Sequence, residues 1–493
     1  MARLNRLCFV LFILGCSDET SSSVSDVTIS MDVGLVDATS ELVADAALNI
    51  DLKVQDGAPE REPAVDAGDV NAMDSLDTGV QDQGLSDALP PTELMLRSPF
   101  GDPTQLEVRT QGIYAIWWDP RFDHDGDTEL MFRLLNAIRE DCLDNLGLED
   151  PPNPAAGYFY NVYIHHGEDD GFPNGWGNGQ GTDLYGMPFL TLPDGAHIDE
   201  ANLYHEGFHI FQYSANAPGF EYRGDSQWYI EATAQWYSAS KLPDNMMAFL
   251  EAGAITANPH LALWHSFENE APGDPRDWLF QVRQYGMHTY LFFLTEVAGV
   301  DADLITNGFY SGTQLMPQQY HYEAIGGDLL RSHFSDWAAQ NTADLAYLTR
   351  EQVERARLEI EFVADENNLN PFVVTVPNRG TEGWFRPAAA LMPRGWGYNV
   401  IRINHSGSAR YRISVEGDEF GSQGAPAHFE GRIVVTSAAV PRYESIEMLS
   451  PLEGHGMIDV VADDADVYII VAALPEHFTG HQTYGYRVRI TRE

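Results

Sequence analysis

Residues 202–212 read Asn202-Leu203-Tyr204-His205-Glu206-Gly207-Phe208-His209-Ile210-Phe211-Gln212, and the rest of the chain is organised around them. The apolar spacing predicts a helix over 199–215. On such a helix the imidazoles at i and i+4 stand one above the other, so His205 and His209 can reach a single ion, with Glu206 beside its open position. That pattern suits a catalytic Zn²⁺ with three protein ligands and a water whose proton a nearby carboxylate takes. At this chain's His and Glu frequencies, about 0.03 occurrences of the motif are expected by chance.

A third ligand is expected at Glu231, 22 positions after His209, within Trp228-Tyr229-Ile230-Glu231-Ala232-Thr233-Ala234-Gln235-Trp236. The apolar spacing there suits a second buried helix. Together, HEGFH and WYIEATAQW resemble the two-helix pattern of the gluzincin zinc metallopeptidases, H-E-x-x-H followed by W-x-x-E-x-x-A. The resemblance covers residues 95–365 and implies zinc held by His205, His209 and Glu231, with Glu206 as general base and proton shuttle. It also implies a later Tyr or His donor for the developing oxyanion. Tyr285 is the first choice and His288 the second, because Gln284-Tyr285-Gly286-Met287-His288 opens a predicted long helix over 279–297.

The resemblance has departures. Gluzincin aminopeptidases carry a G-x-M-E-N strand that captures a free amine, whereas this chain has Gly186-Met187-Pro188-Phe189, so an endopeptidase is expected rather than an exopeptidase. That strand still suits pairing with an extended peptide, although Pro188 removes one donor. More loosely, the whole folded part is similar to secreted zincin-like domains followed by a β-rich module.

Upstream, Gly112–Trp118, Glu129–Leu146 and Tyr158–Ile164 read as strand, helix and strand, a β-α-β order with a crossover helix. Met187–Leu192 reads as the sheet's last strand, and the glycine-rich 175–181 as a mobile rim beside the cleft. Asp123-His124-Asp125-Gly126-Asp127 lacks the closing glutamate of a calcium loop and reads as a turn with Asp127 capping the helix. His165 and His166 end a strand on opposite faces and read as incidental. After Pro371, short β-rich runs at Tyr398–Ile403, Ala409–Val415, Gly431–Thr436, Gly456–Val461, Asp466–Val471 and Tyr484–Ile490 predict an antiparallel sandwich.

The N-terminus reads as a signal peptide, with Arg3 and Arg6 before an apolar run from Leu7 to Leu14 that is too short to span a bilayer. Ile13-Leu14-Gly15-Cys16 resembles the bacterial lipobox, which implies lipidation at Cys16. From Ser17 to about Glu93 there is no Phe, Trp or Tyr and Asp recurs, the composition of a solvated, self-repelling tether. Cys142 is the only cysteine besides Cys8 and Cys16; it reads as a buried small hydrophobe, and the mature chain has no pair for an intramolecular disulfide.

The chain thus divides into a signal peptide (1–15), an acidic tether (16–94), an α+β zincin-like domain (95–370) with an N-terminal mixed sheet and then mainly helices, and a β-sandwich (371–493). A net charge of −46 and a pI of about 4.4 repel phosphate backbones and acidic membrane faces. The expected protein is a monomeric zinc peptidase, lipid-anchored to the bacterial envelope with the outer membrane or cell surface favoured, acting on polypeptides and not on nucleic acid. The alternative is an inactive zincin-like surface protein that recognises a glycan or matrix partner through the sandwich.

Overall fold

The computed structural model describes residues 94–98, 103–167, 177–249, 251–266, 282–357, 377–379, 383–403, 405, 407–436, 440–461, 464 and 466–493. The expected signal peptide, Cys16, nearly all of the tether and the boundary near residue 370 lie outside them. The described residues belong to one compact unit.

The first sheet has the order β1-β2-β3-β5-β4, from β1 (Glu107–Gln111), β2 (Tyr114–Trp118), β3 (Tyr160–His165), β4 (Gly179–Thr182) and β5 (Pro188–Pro193). β2, β3 and β5 are parallel, while β1 and β4 run antiparallel on the two edges. The connection from β2 to β3 carries helix α1 (Asp127–Asp144), the crossover that a parallel pair requires. Two expectations change here. β5 is an inner strand, because β4 covers its outer side; and part of the segment read as a rim, Gly179–Gly181, is that covering strand.

Side chains alternate across β2. Tyr114, Ile116 and Trp118 join the large core with α1 residues such as Leu135 and Ile138, whereas Ala115 and Trp117 pack with Tyr163 and Phe189 on the other face. Both faces are therefore covered, as parallel strands require. Asp127 does not cap α1. The N-cap is Gly126 without a side-chain bond, and the Asp127 carboxylate reaches His124 and His197 instead.

α2 (Glu200–Gln212) and α3 (Gln227–Lys241) follow the sheet. Asp199 caps α2 by accepting the Asn202 N–H at 3.0 Å. Gly207 lets α2 lie close on α1, since a Cβ there would stand 2.7 Å from Ile138 Cδ1. α3 is buried on every side from Gln227 to Ala239, the signature of a central core helix. The long helix expected over 279–297 is broken, over its described part, into Arg283–Gly286 (α4), His288–Phe292 (α5) and a π-helical segment Phe293–Val297. α6 (Pro317–Ile325) and α7 (Gly327–Thr342) complete the labelled helices.

The C-terminal part forms a second, wholly antiparallel sheet of β6 (Pro377–Arg379), β7 (Trp384–Pro387), β8 (Gly397–Ile403), β9 (Ala409–Gly417), β10 (Phe429–Thr436), β11 (Arg442–Met448), β12 (Glu453–Val460), β13 (Asp466–Ala473) and β14 (Tyr486–Arg492). Its order is β6-β7-β14-β9-β12-β11-β10-β13-β8. Laid flat, β14 and β8 would stand about 29 Å apart at the usual strand spacing. Instead the Tyr486 hydroxyl donates to Asn399 Oδ1 at 3.0 Å, so the sheet curls on itself.

Alternation gives β8, β10 and β13 two cores. Ile433, Val435, Ile469 and Val471 point into the curl, while Val434, Ile470 and Ala472 join the helical core. Trp337 of α7 sits 6.0 Å from the Tyr398 ring, and Arg432 of β10 binds Asp336 of α7 at 2.7 Å. Among the described residues no helix is long and apolar enough to cross a membrane.

Candidate metal centre

α2 and α3 pack side by side and bring three donor atoms together. His205 Nε2 lies 3.1 Å from His209 Nε2 and 3.2 Å from Glu231 Oε2, and His209 Nε2 lies 3.5 Å from the same oxygen. All three side chains are buried. Ligands about 2.0–2.1 Å from a tetrahedral zinc are separated by about 3.3 Å along each edge, so the triangle has the size that the ion requires.

Proton bookkeeping points the same way. Gln235 donates its amide to Ala248 O at 2.7 Å, which turns Oε1 toward His205 Nδ1 at 2.9 Å. Gln212 donates to Ile230 O and to Thr233 Oγ1, which turns its Oε1 toward His209 Nδ1 at 2.6 Å. Each imidazole therefore carries its proton on Nδ1, and both Nε2 lone pairs face the Glu231 carboxylate with no proton among them. Three converging lone pairs repel unless a cation lies between them.

Glu206, on the same helix, is buried, and burial pushes its carboxyl up to about 7, with the Glu231 charge adding and His205 and Asn178 opposing. Glu206 Oε2 and Glu231 Oε1 are buried without a hydrogen-bond partner, which is costly unless something binds there. The residues present thus fit an ion of zinc's size, with His205, His209 and Glu231 placed so that they could hold it. β4 borders this helix, where Gln180 donates to Glu206 O at 3.1 Å.

Tyr285 and His288 are both beside the centre, in unlike states. The Tyr285 ring lies 5.9 Å from that of His205. His288 is fully buried, which pushes its imidazole down to about 4, with His205 adding to the effect. Its Nδ1 lies 2.9 Å from Tyr285 O. A carbonyl only accepts, so Nδ1 holds the single proton and Nε2 has none to donate.

His165 and His166 do point apart. His165 Nε2 donates to Gly177 O at 2.9 Å, whereas His166 Nε2 lies 2.9 Å from His124 Nε2. His166 is thus not incidental but part of a second histidine group, which strand-by-strand reading missed because its members are distant in sequence. Cys142 is buried, and burial drives its thiol pKa up, as befits an inert core residue.

No family model matches the chain, and no curated protein is similar to it at a significant level. Among solved structures, the CBM22-1–GH10 modules of Clostridium thermocellum endo-1,4-β-D-xylanase 10B complexed with xylohexaose are 14% identical at a TM-score of 0.17. That match covers 24% of this chain and 24% of that one, so the chain spans about a quarter of that structure's length. A xylan-binding CBM22 domain is 10% identical at a TM-score of 0.15, covering 24% of this chain and 80% of that one. A family GH115 4-O-methyl-α-glucuronidase is 10% identical at a TM-score of 0.14, covering 71% and 54%. Superpositions at these scores carry no statement about fold or substrate.

Proposed function

We propose that this protein is a zincin-like, zinc-dependent peptide-bond hydrolase acting as an endopeptidase at the bacterial envelope. The observation that carries this reading is the triangle of His205, His209 and Glu231 with the buried Glu206 carboxylate alongside. A purely structural zinc needs no base inside the motif.

When bound, zinc supplies Lewis acidity to a substrate carbonyl and lowers the pKa of water. Glu206 takes a proton from the attacking water at a carboxylate oxygen and delivers it to the leaving amine nitrogen. Gln235 and Gln212 hold the two imidazoles in the ligating tautomer. Tyr285 donates its phenolic proton to the developing oxyanion, a role closed to neutral His288 in its present tautomer. The curled C-terminal sheet, read here as sandwich-like, buttresses the helices through α7, and β4 offers the edge on which an extended peptide can lie.

The test is cleavage of an unfolded polypeptide by the full-length protein. Activity that a chelator removes and stoichiometric zinc restores supports the reading, and activity indifferent to chelation overturns it.

A further inference from the structure

Three parallel strands end on one edge of the first sheet, and open α/β sheets present ligand sites outside the carboxyl ends of such strands. The loop after β2 carries His124, the end of β3 carries His166, and the turn after β5 carries Asp194 and then His197 on the segment leading into α2. His124 and His197 are buried, their rings 4.7 Å apart and nearly perpendicular. His124, Asp194 and His197 offer ligand atoms all within 4.8 Å of one another.

The protons are again assigned by a third group. Asp127 Oδ2 lies 3.0 Å from His124 Nδ1 and 3.0 Å from His197 Nε2. A carboxylate with two such neighbours accepts from both, so His124 keeps its lone pair on Nε2 and His197 on Nδ1. This is the carboxylate–histidine arrangement that orients metal ligands. The His197 lone pair lies 3.8 Å from Asp194 Oδ1 and accepts the Gly195 N–H at 3.2 Å, a bond that an ion held there would replace. His166 stands beside the group, with Nε2 at 2.9 Å from His124 Nε2 and Nδ1 at 3.6 Å from Asp194 Oδ2.

We propose that His124, Asp194 and His197, with Asp127 as orienting carboxylate, form a second, structural site for a zinc-class divalent ion. Imidazoles with a carboxylate suit Zn²⁺, Co²⁺ or Ni²⁺ rather than Ca²⁺ or Mg²⁺. The three donors come from the loop after β2 and from the segment joining β5 to α2, so an ion held by them would tie these two stretches together. Bound there, the ion fastens the carboxyl ends of β2 and β5 to the start of α2, and so fixes the helix that carries His205 and His209.

The test is Co²⁺ binding to the metal-stripped full-length protein, read as bound equivalents and as the visible ligand-field spectrum. Two equivalents are expected for wild type, one for His205→Ala/His209→Ala, and none once His124→Gln/His197→Gln are added. Co²⁺ should also raise the Tm of His205→Ala/His209→Ala, a readout independent of activity. No bound Co²⁺ in folded His205→Ala/His209→Ala, or one equivalent in wild type that His124→Gln/His197→Gln alone leaves in place, overturns the second site. One equivalent in both wild type and His205→Ala/His209→Ala instead overturns the first, so the two failures are told apart.

Discussion

Gln235 Oε1 stands 2.9 Å from His205 Nδ1, and this one contact decides which imidazole nitrogen is left for a metal. It has force because the Gln235 amide is itself pinned to Ala248 O, so the side chain cannot turn its nitrogen toward the ring.

Replacing Gln235 with Ala should therefore weaken zinc binding about 10- to 100-fold, the usual effect of losing an orienting partner. Gln235→Glu retains the acceptor and should recover much of the loss. Competition titration against a chromophoric chelator measures both, and equal affinities for wild type and Gln235→Ala would refute the assignment.

Tyr285→Phe should lower kcat by about 10²- to 10³-fold at unchanged zinc content, the range for loss of one oxyanion donor. His288→Gln should cost markedly less, because the wild-type Nε2 has no proton to give. Steady-state kinetics on the pair separates them; the reverse order would exchange their roles.

Gly207 explains itself through Ile138. A Cβ at 207 meets Ile138 Cδ1, so Gly207→Ala should destabilise by about 1–3 kcal/mol, the overpacking range. Ile138→Val should recover part of that in the same background. Denaturant melts of the four proteins in this cycle give the coupling, and strict additivity would show that the two side chains do not compete for space.

Acid stability should depend on His321, where burial pushes the imidazole down to about 3, against about 6.5 in an unfolded chain. The folded state favours the neutral ring, so the contribution is fully present above about pH 6.5. It is lost as pH falls toward 3, by about 1.4 kcal/mol for each pH unit. His321→Gln, which does not titrate, should flatten the fall in stability below pH 6.5. Identical slopes for the two proteins would show that His321 takes up its proton as readily folded as unfolded.

The site was legible where chemistry follows helical spacing. His205, Glu206 and His209 lie within one turn or so of each other, and Glu231 sits on the next helix amid aromatic residues that had to be buried. β4 was illegible because Gly179-Gln180-Gly181-Thr182 has neither alternation nor β-branched weight before Thr182. β11 was missed because its pattern is exposed except at Ile446 and Met448. His124, His166 and His197 meet only because three parallel strands end side by side, a relation that no local window contains. Asp127 was read as a cap from its place before a helix, yet its carboxylate is drawn to two imidazoles, which hold its pKa below the usual value against the opposing effect of burial.

The most direct test of the central claim compares zinc content and polypeptide cleavage in wild type and Glu206→Gln. Zinc bound in both, with cleavage in wild type and a loss of at least about 10²-fold in the variant, is the expected result. Zinc in both without any cleavage would turn the protein into a binding protein with a vestigial centre. Zinc in neither, or undiminished cleavage by Glu206→Gln, would contradict the assignment of His205, His209, Glu231 and Glu206 altogether.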